Sequence, residues 1–181
     1  MTSTSLWSVP VALDDVPQTG THVDLAADEE VRARIARMAG LRDLPRLEAS
    51  FDLFRRGEDA LSVVGEVRGI AGQNCVVTLD PIDNEIVEPV DLIFSARSHT
   101  LASDDDERKA TLAFADADPP EPLADGVVDL GAVATEYFLL GIDPYPRKPG
   151  AVFEPPAQDQ AADSPFAALA ALRKRREGEE K

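Results

Sequence analysis

The sequence predicts an α+β fold, in which an antiparallel β-sheet or a partial barrel packs against two helices. Apolar and polar residues alternate between residues 44 and 94, and each of two segments with helical spacing begins at an aspartate that can cap a helix. At 181 residues the chain is long enough for one hydrophobic core but short for two. We therefore expect a core domain over residues 1–146, a flexible linker over 147–164 and a C-terminal tail over 165–181.

An edge strand and a helix are predicted near the start of the chain. Residues 6–13 carry apolar side chains at alternate positions, and Pro10 favours the edge of a sheet. A polar turn follows. Asp28 is then placed to cap a helix that Gly40 ends. The apolar stripe of this helix consists of Val31, Ile35 and Met38.

Alternation with a period of two predicts the central strands of the sheet. The buried face of the first is expected to consist of Leu47, Ala49, Phe51 and Leu53. Three more strands are predicted at residues 61–70, 74–79 and 86–94, with a turn at residues 80–83. Short connections make these strands an antiparallel meander of four to six strands in all.

A long acidic loop and a second helix complete the predicted core domain. The loop covers residues 95–126, and a brief strand follows at Val127 and Val128. Asp129 is placed to cap the helix, which ends at Gly141. Its apolar stripe consists of Leu130, Val133, Tyr137 and Leu140.

The C-terminal tail predicts a short amphipathic helix with a basic end. Ser164 can cap it, and Pro165 suits its first position. One face presents Phe166, Leu169 and Leu172, and the last turn carries Arg173, Lys174, Arg175 and Arg176. An isolated helix of this length is marginal in water, so we expect it to form on a partner.

The distribution of charge separates the tail from the rest of the chain. The net charge is -16, yet residues 165–181 contain five Lys or Arg against three Asp or Glu. An acidic body repels nucleic-acid phosphates, which excludes DNA and restricts RNA contact to the tail. A basic protein partner suits the body, although the excess of acid can also serve solubility alone.

No cofactor, metal site or catalytic centre is expected. His22 and His99 are interpreted as loop residues, because neither has a cysteine or carboxylate at metal-ligand spacing. Asp104–Glu107 lacks the spacing of a calcium loop. Cys75 is expected to face the same side of a strand as Val77 and Leu79, with no basic residue nearby to lower its pKa.

The sequence also predicts a cytoplasmic protein. A single cysteine excludes an internal disulfide framework. The N-terminus has neither a positive start nor an apolar run of secretory length. No stretch approaches the roughly 20 apolar residues that cross a membrane, so no membrane partner is expected.

Several residues carry a resemblance to a known family. They are Cys75, Asp129, Leu130, Glu136, Leu139, Leu140, Pro144 and Pro146, followed by the tail from Pro165 to Lys174. Over residues 5–176 the sequence resembles the YceD family of bacterial and plastid large ribosomal RNA subunit accumulation proteins. The resemblance implies a role in the synthesis, processing or stability of the large ribosomal RNA, without a mechanism.

The chain departs from that family pattern at its cysteines. Many relatives have a Cys-x-x-Cys pair where this chain has Cys75-Val76-Val77-Thr78, and a further cysteine where it has Arg147-Lys148. A zinc site imagined for those relatives cannot be carried over, because one thiolate cannot complete a tetrahedral site.

These observations favour a non-catalytic accessory factor that acts by binding. The acidic body would hold a ribosomal protein or assembly factor, and the tail would dock on the pre-ribosome, with large-subunit RNA as its possible contact. Two alternatives stay open: a protein–protein adaptor with no RNA contact, and an RNA-processing enzyme. Glu136 is the first residue to test for the enzyme.

Overall fold

A computed structural model of the chain describes residues 5–96 and 120–153. The described strands are β1 (Pro10–Ala12), β2 (Thr21–Ala26), β3 (Asp43–Arg55), β4 (Ala60–Asn74), β5 (Pro81–Ser95), β6 (Glu121–Pro122) and β7 (Val127–Asp129). The described helices are α1 (Glu29–Ala39) and α2 (Leu130–Leu140). The predicted α+β class is confirmed.

The strands form one open sheet of five strands and a separate pair. The order in the large sheet is β2-β3-β4-β5-β6, and β1 pairs with β7. Neighbours from β2 to β5 are antiparallel, as the predicted meander requires, whereas β6 lies parallel to β5. The described sheet is open and does not close into a barrel.

Strand β2 lies within the segment before Asp28 for which the sequence predicts only a polar turn. It pairs with β3 from Thr21 opposite Leu53 to Ala26 opposite Glu48. Its side chains alternate between half-buried and exposed. Val23 and Leu25 alternate with the polar residues His22 and Asp24, but the pattern extends over only six residues. Pairing with the long neighbouring strand supplies the stability that this segment lacks alone.

The predicted strand at residues 74–79 is wrong. Strand β4 continues through Gly72 to Asn74, and the chain then turns. The N–H of Cys75 donates to the carbonyl oxygen of Asp80 (2.8 Å), and the N–H of Leu79 donates to that of Cys75 (2.9 Å). Leu79 has a φ of 61° and is exposed. These closing hydrogen bonds override the strand preference of the valines in the turn.

Helix α1 begins and ends where the sequence predicts. The side chain of Asp28 accepts from the N–H of Val31 (2.8 Å), and Gly40 has the left-handed φ of 67° that ends the helix. Ile35 is fully buried, but Met38 is 54% exposed. Met38 was therefore wrongly assigned to the apolar stripe.

Helix α2 is capped by Asp129, as predicted, and buries Leu130 and Val133 of the predicted stripe but not Leu140. Leu130 and Phe138 are fully buried, whereas Leu140 is 74% exposed. Phe138 lies over Gly69 of β4, where an added Cβ would come within 2.6 Å of the aromatic ring. The absence of a side chain at Gly69 lets the helix approach the sheet.

The two faces of the large sheet have different surroundings. Helix α1 packs against β3, and α2 packs against β4 and β5. They cover the face formed by Leu47, Ala49, Phe51, Leu53, Leu61, Val63, Val67, Ile86 and Val90, all buried. Alternation places the intervening residues on the opposite side. We call the first side the covered face and the second the open face.

The described chain belongs to two units. One ends at Pro149 and the other begins at Gly150. Residues 120–126 of the predicted acidic loop contain β6 and the 3₁₀ turn Ala124–Gly126. The rest of that loop from residue 97, with Asp104–Glu107 and His99, lies outside the described residues. The boundaries at residues 147 and 165 stay predictions.

Candidate functional site

The predicted docking residues of the tail lie outside the described residues. They are Pro165, Phe166, Leu169, Leu172, Arg173, Lys174, Arg175 and Arg176. Their role as a docking motif stays a prediction.

The motif residues at the start of α2 stabilise the fold. One carboxylate oxygen of Asp129 accepts from the N–H groups of Gly131 (3.1 Å) and Ala132 (3.2 Å) and from that of Val9 (2.8 Å). The same oxygen thus caps the helix and holds the segment that leads into β1. Leu130 is fully buried beside it. Both residues therefore act structurally.

The motif residues in the second half of α2 are more accessible. Glu136 and Leu140 are exposed, and Leu139 is partly buried. Glu136 lies at a groove of about 350 Å³ between α2 and the strands. Its apolar lining includes Leu92, Phe94, Val127, Tyr137 and Leu140. Glu136 is thus available to a partner.

The motif prolines bring the chain back against the sheet. Pro146 is buried, and its carbonyl oxygen accepts from the N–H of Val76 (2.9 Å). The side chain of Gln73 donates to the carbonyl oxygen of Asp143 (2.9 Å). Pro144 is exposed. This segment therefore docks on the turn between β4 and β5, and we call residues 75–80 with 143–148 the Cys75 corner.

Cys75 lies at the centre of this corner. Its sulfur is buried and accepts from the N–H groups of Thr78 (3.5 Å) and Lys148 (3.4 Å). The N–H of Lys148 and the contacts with Thr78, opposed by burial, lower the pKa of the thiol from 9.0 to about 6. Cys75 therefore lies at a turn and not in the predicted strand, and the predicted absence of a basic neighbour is also wrong, because Lys148 contacts its sulfur.

An ion pair stabilises the same corner. The ammonium of Lys148 lies 3.0 Å from a carboxylate oxygen of Asp80. It holds the pKa of Asp80 below its ordinary value, with help from the hydroxyl of Thr78. The positions at which the resemblance places further cysteines, Thr78 and Arg147-Lys148, thus lie at the one thiol this chain has. In this chain, hydrogen bonds and an ion pair join the turn at residues 75–80 to the segment that contains Lys148.

A second cluster, on the open face, was missed because His22 was interpreted as a loop residue. Its Nδ1 lies 2.7 Å from Asp52, and its Nε2 lies 3.2 Å from Asp24 and 3.3 Å from the hydroxyl of Ser50. The alternation in Thr21–Ala26 was the signal that could have placed His22 in a strand.

The order Ser50–His22–Asp52 resembles a catalytic triad, but its hydrogen bonds oppose that chemistry. A general base needs a free lone pair on the nitrogen that faces the serine. Asp24 offers only acceptors, so it favours a proton on that nitrogen. The hydrogen bond to Asp52, together with Asp24, raises the pKa of His22. The imidazole of His22 therefore bridges two carboxylates that favour its protonated form.

A shallow cavity of about 360 Å³ adjoins His22 on the open face. Its polar lining consists of Asp24, Glu48, Ser50, Glu66 and Arg68. The Nε of Arg68 donates to Glu66 (2.6 Å), and Glu48 forms no ion pair with any described residue. The cavity therefore offers one carboxylate, that of Glu48, without an ion pair to a described residue, beside the paired carboxylates of Asp24 and Glu66.

The described residues contain no cluster of three or more His, Cys, Asp or Glu that could hold a metal ion.

Within the described ranges, no helix is both long enough and apolar enough to span a membrane.

A family model described as large ribosomal RNA subunit accumulation protein YceD matches residues 63–173. The match covers more than half of the 181 residues and contains every motif residue from Cys75 to Pro146. Searches among curated proteins and among solved structures found no significant match.

Proposed function

This chain belongs to the YceD family of large ribosomal RNA subunit accumulation proteins, and from this premise we propose that it is a non-catalytic accessory factor. It acts in the synthesis, processing or stability of large-subunit RNA by binding, in the cytoplasm. Its acidic body holds a basic ribosomal protein or assembly factor. Its tail docks on the pre-ribosome.

The division of charge along the chain carries this proposal. Residues 165–181 have a surplus of two cations, while the whole chain has a net charge of -16. The body therefore attracts basic proteins and repels phosphates within a Debye length, about 8 Å at physiological salt. A chain with an acidic body and a basic tail can bind an assembly protein and RNA at the same time.

The tail supplies both an apolar and an electrostatic contact. Phe166, Leu169 and Leu172 repeat at helical spacing, and four cations follow them. If those cations neutralise four phosphates, the logarithm of affinity falls with the logarithm of salt concentration at a slope of about -3 to -4. A much steeper slope would contradict contact through the tail alone.

Binding, rather than catalysis, is also supported by the two candidate clusters. His22 is held between carboxylates on an exposed face, and the sulfur of Cys75 is buried under its hydrogen-bond donors. Neither group is presented to a substrate as a free base or nucleophile. The Gln variant of Glu136 tests the enzyme alternative: loss of RNA turnover in that variant would overturn the non-catalytic proposal.

Gradient sedimentation tests the proposed function. Tagged full-length chain is sedimented from gently lysed cells with and without ribonuclease, and co-purifying proteins are identified by mass spectrometry. We expect co-migration with large-subunit precursors. Co-migration that resists ribonuclease would favour the adaptor alternative, whereas a chain found only at the top of the gradient would overturn the ribosomal role.

Matched tail variants separate the two contacts. One variant changes the four cations of residues 173–176 to Gln, and the other changes Phe166, Leu169 and Leu172 to Ser. The first should abolish the salt dependence, and the second should weaken binding at every salt concentration. Co-migration unchanged in both variants would show that the tail is not the docking element.

A further inference from the structure

The open face of the sheet is a surface without a structural partner in the described chain. Both helices lie on the covered face. On the open face, Phe54, Val64 and Val87 are 45%, 38% and 46% exposed. These side chains supply apolar area that a bound molecule can bury.

Carboxylates surround these apolar residues. Strands β2 to β5, all of them described, place eight acidic residues on the open face: Asp24, Asp43, Glu48, Asp52, Glu66, Asp83, Glu85 and Asp91. The same strands present only three cationic or titratable nitrogen groups there, those of His22, Arg46 and Arg68. The face therefore carries a net negative charge.

The cationic side chains of the open face already form ion pairs within the protein. Arg68 bonds to Glu66, Arg46 lies 3.4 Å from Glu85, and His22 bridges its two carboxylates. Glu48 and Asp91 have no ion pair with any described residue. An incoming cation can thus pair without first breaking a bond inside the protein.

The register gives these groups a regular spacing. Asp24, Ser50 and Glu66 lie opposite one another on successive strands, as do Ala26, Glu48 and Arg68. Adjacent strands are about 4.8 Å apart, and residues two apart on one strand are separated by about 6.6 Å. An extended chain with basic side chains at alternate positions has the same repeat.

We infer that the open face over β2, β3 and β4 binds a Lys- or Arg-rich segment of a partner protein in an extended conformation. One basic side chain enters the cavity at Glu48 and Glu66, and the apolar part of the segment covers Val64. The inference rests on the proposed function and names the surface that holds its basic partner. Asp24 and Glu48 precede the residues that match the family model.

A peptide-binding experiment with the full-length chain tests this inference. The probe is a fluorescent peptide of alternating arginine and alanine, and the readout is anisotropy at low salt. The face variant combines Asp24→Asn, Glu48→Gln and Glu66→Gln. We expect it to bind about tenfold more weakly than the unchanged chain.

A control variant removes the same charge from elsewhere. It combines Asp15→Asn, Glu30→Gln and Asp125→Asn, all exposed and none on strands β2 to β5. We expect less than about a twofold loss of affinity, since distant charges are screened. Equal losses in the two variants, or no binding to the unchanged chain, would overturn the inference.

Two further outcomes keep the inference separate from the proposed function. Tighter binding of a single-stranded RNA than of the peptide, weakened in the face variant, would overturn it in favour of a nucleic-acid surface. Co-migration with large-subunit precursors without peptide binding would overturn the inference alone. Face-dependent peptide binding without co-migration would support the surface and contradict the ribosomal role.

Discussion

The covered face and the open face belong to the same strands but have different roles. On the covered face, Phe51, Val63 and Val67 are fully buried beneath the helices. On the open face, the intervening residues of β3 and β4 include exposed carboxylates and exposed apolar side chains. Strand alternation thus lets one set of residues stabilise the fold while its neighbours remain free to bind.

The largest expected effect is on the covered face. Phe138→Ala removes a fully buried ring and should lower the free energy of unfolding by about 3–5 kcal/mol in urea titrations. Phe54→Ala is the matched change on the open face, where the ring is 45% exposed, and should cost less than half as much. Equal losses of unfolding free energy in the two variants would show that the open face is also part of the core.

A smaller loss of stability is expected from a substitution where α2 approaches β4. Gly69→Ala places a methyl group against the ring of Phe138 and should destabilise the protein by about 1–3 kcal/mol. In a Phe138→Leu background the same change should cost less, because the ring edge that it meets is absent. An unchanged cost in that double-mutant cycle would mean that the nearby Arg46 carbonyl, 3.2 Å away, is responsible.

The Cys75 corner predicts a rise of stability with pH. The folded pKa of the thiol is about 6 and its ordinary value is 9.0, so its contribution is full above 9.0 and is lost as the pH falls through about 6. The free energy of unfolding should therefore increase between these values, measured by urea titration under reducing conditions. Cys75→Ala should abolish that increase, and an unchanged pH dependence would refute the role of the thiolate.

The smallest effect is expected at His22, with the opposite sign. Because its pKa is raised in the folded protein, its contribution is full below 6.5 and is lost as the pH rises through the folded value. Because His22 is exposed on the open face, solvent screens its ion pairs and their contribution to stability is small. An NMR titration of the imidazole should give a value above 6.5, and Asp52→Asn should move it back toward 6.5.

Local patterns predicted much of the fold. Asp28 and Asp129 marked both helices because a capping side chain acts on the next three residues. Alternation from Leu47 to Leu53 marked β3 because burial on one face repeats every second residue. Local patterns failed after Asn74, where hydrogen bonds that involve the distant Pro146 hold the turn.

The candidate sites depend on contacts between distant residues. Cys75 and Lys148 are separated by 73 positions, and His22 and Asp52 by 30. Neither pair has a spacing that a sequence motif could reveal. The pairing of β2 with β3 is what brings Asp52 opposite His22. Only the register of the sheet therefore defines the open face.

The short parallel strand β6 has a practical consequence for engineering. Ser95 lies opposite Pro122, and the N–H of Leu123 donates to the carbonyl oxygen of Ser95 (2.8 Å). These contacts bring the two ends of the sequence between Ser95 and Pro122 next to each other. Since the entropy of loop closure grows only with the logarithm of loop length, this junction is a suitable site for an inserted reporter domain.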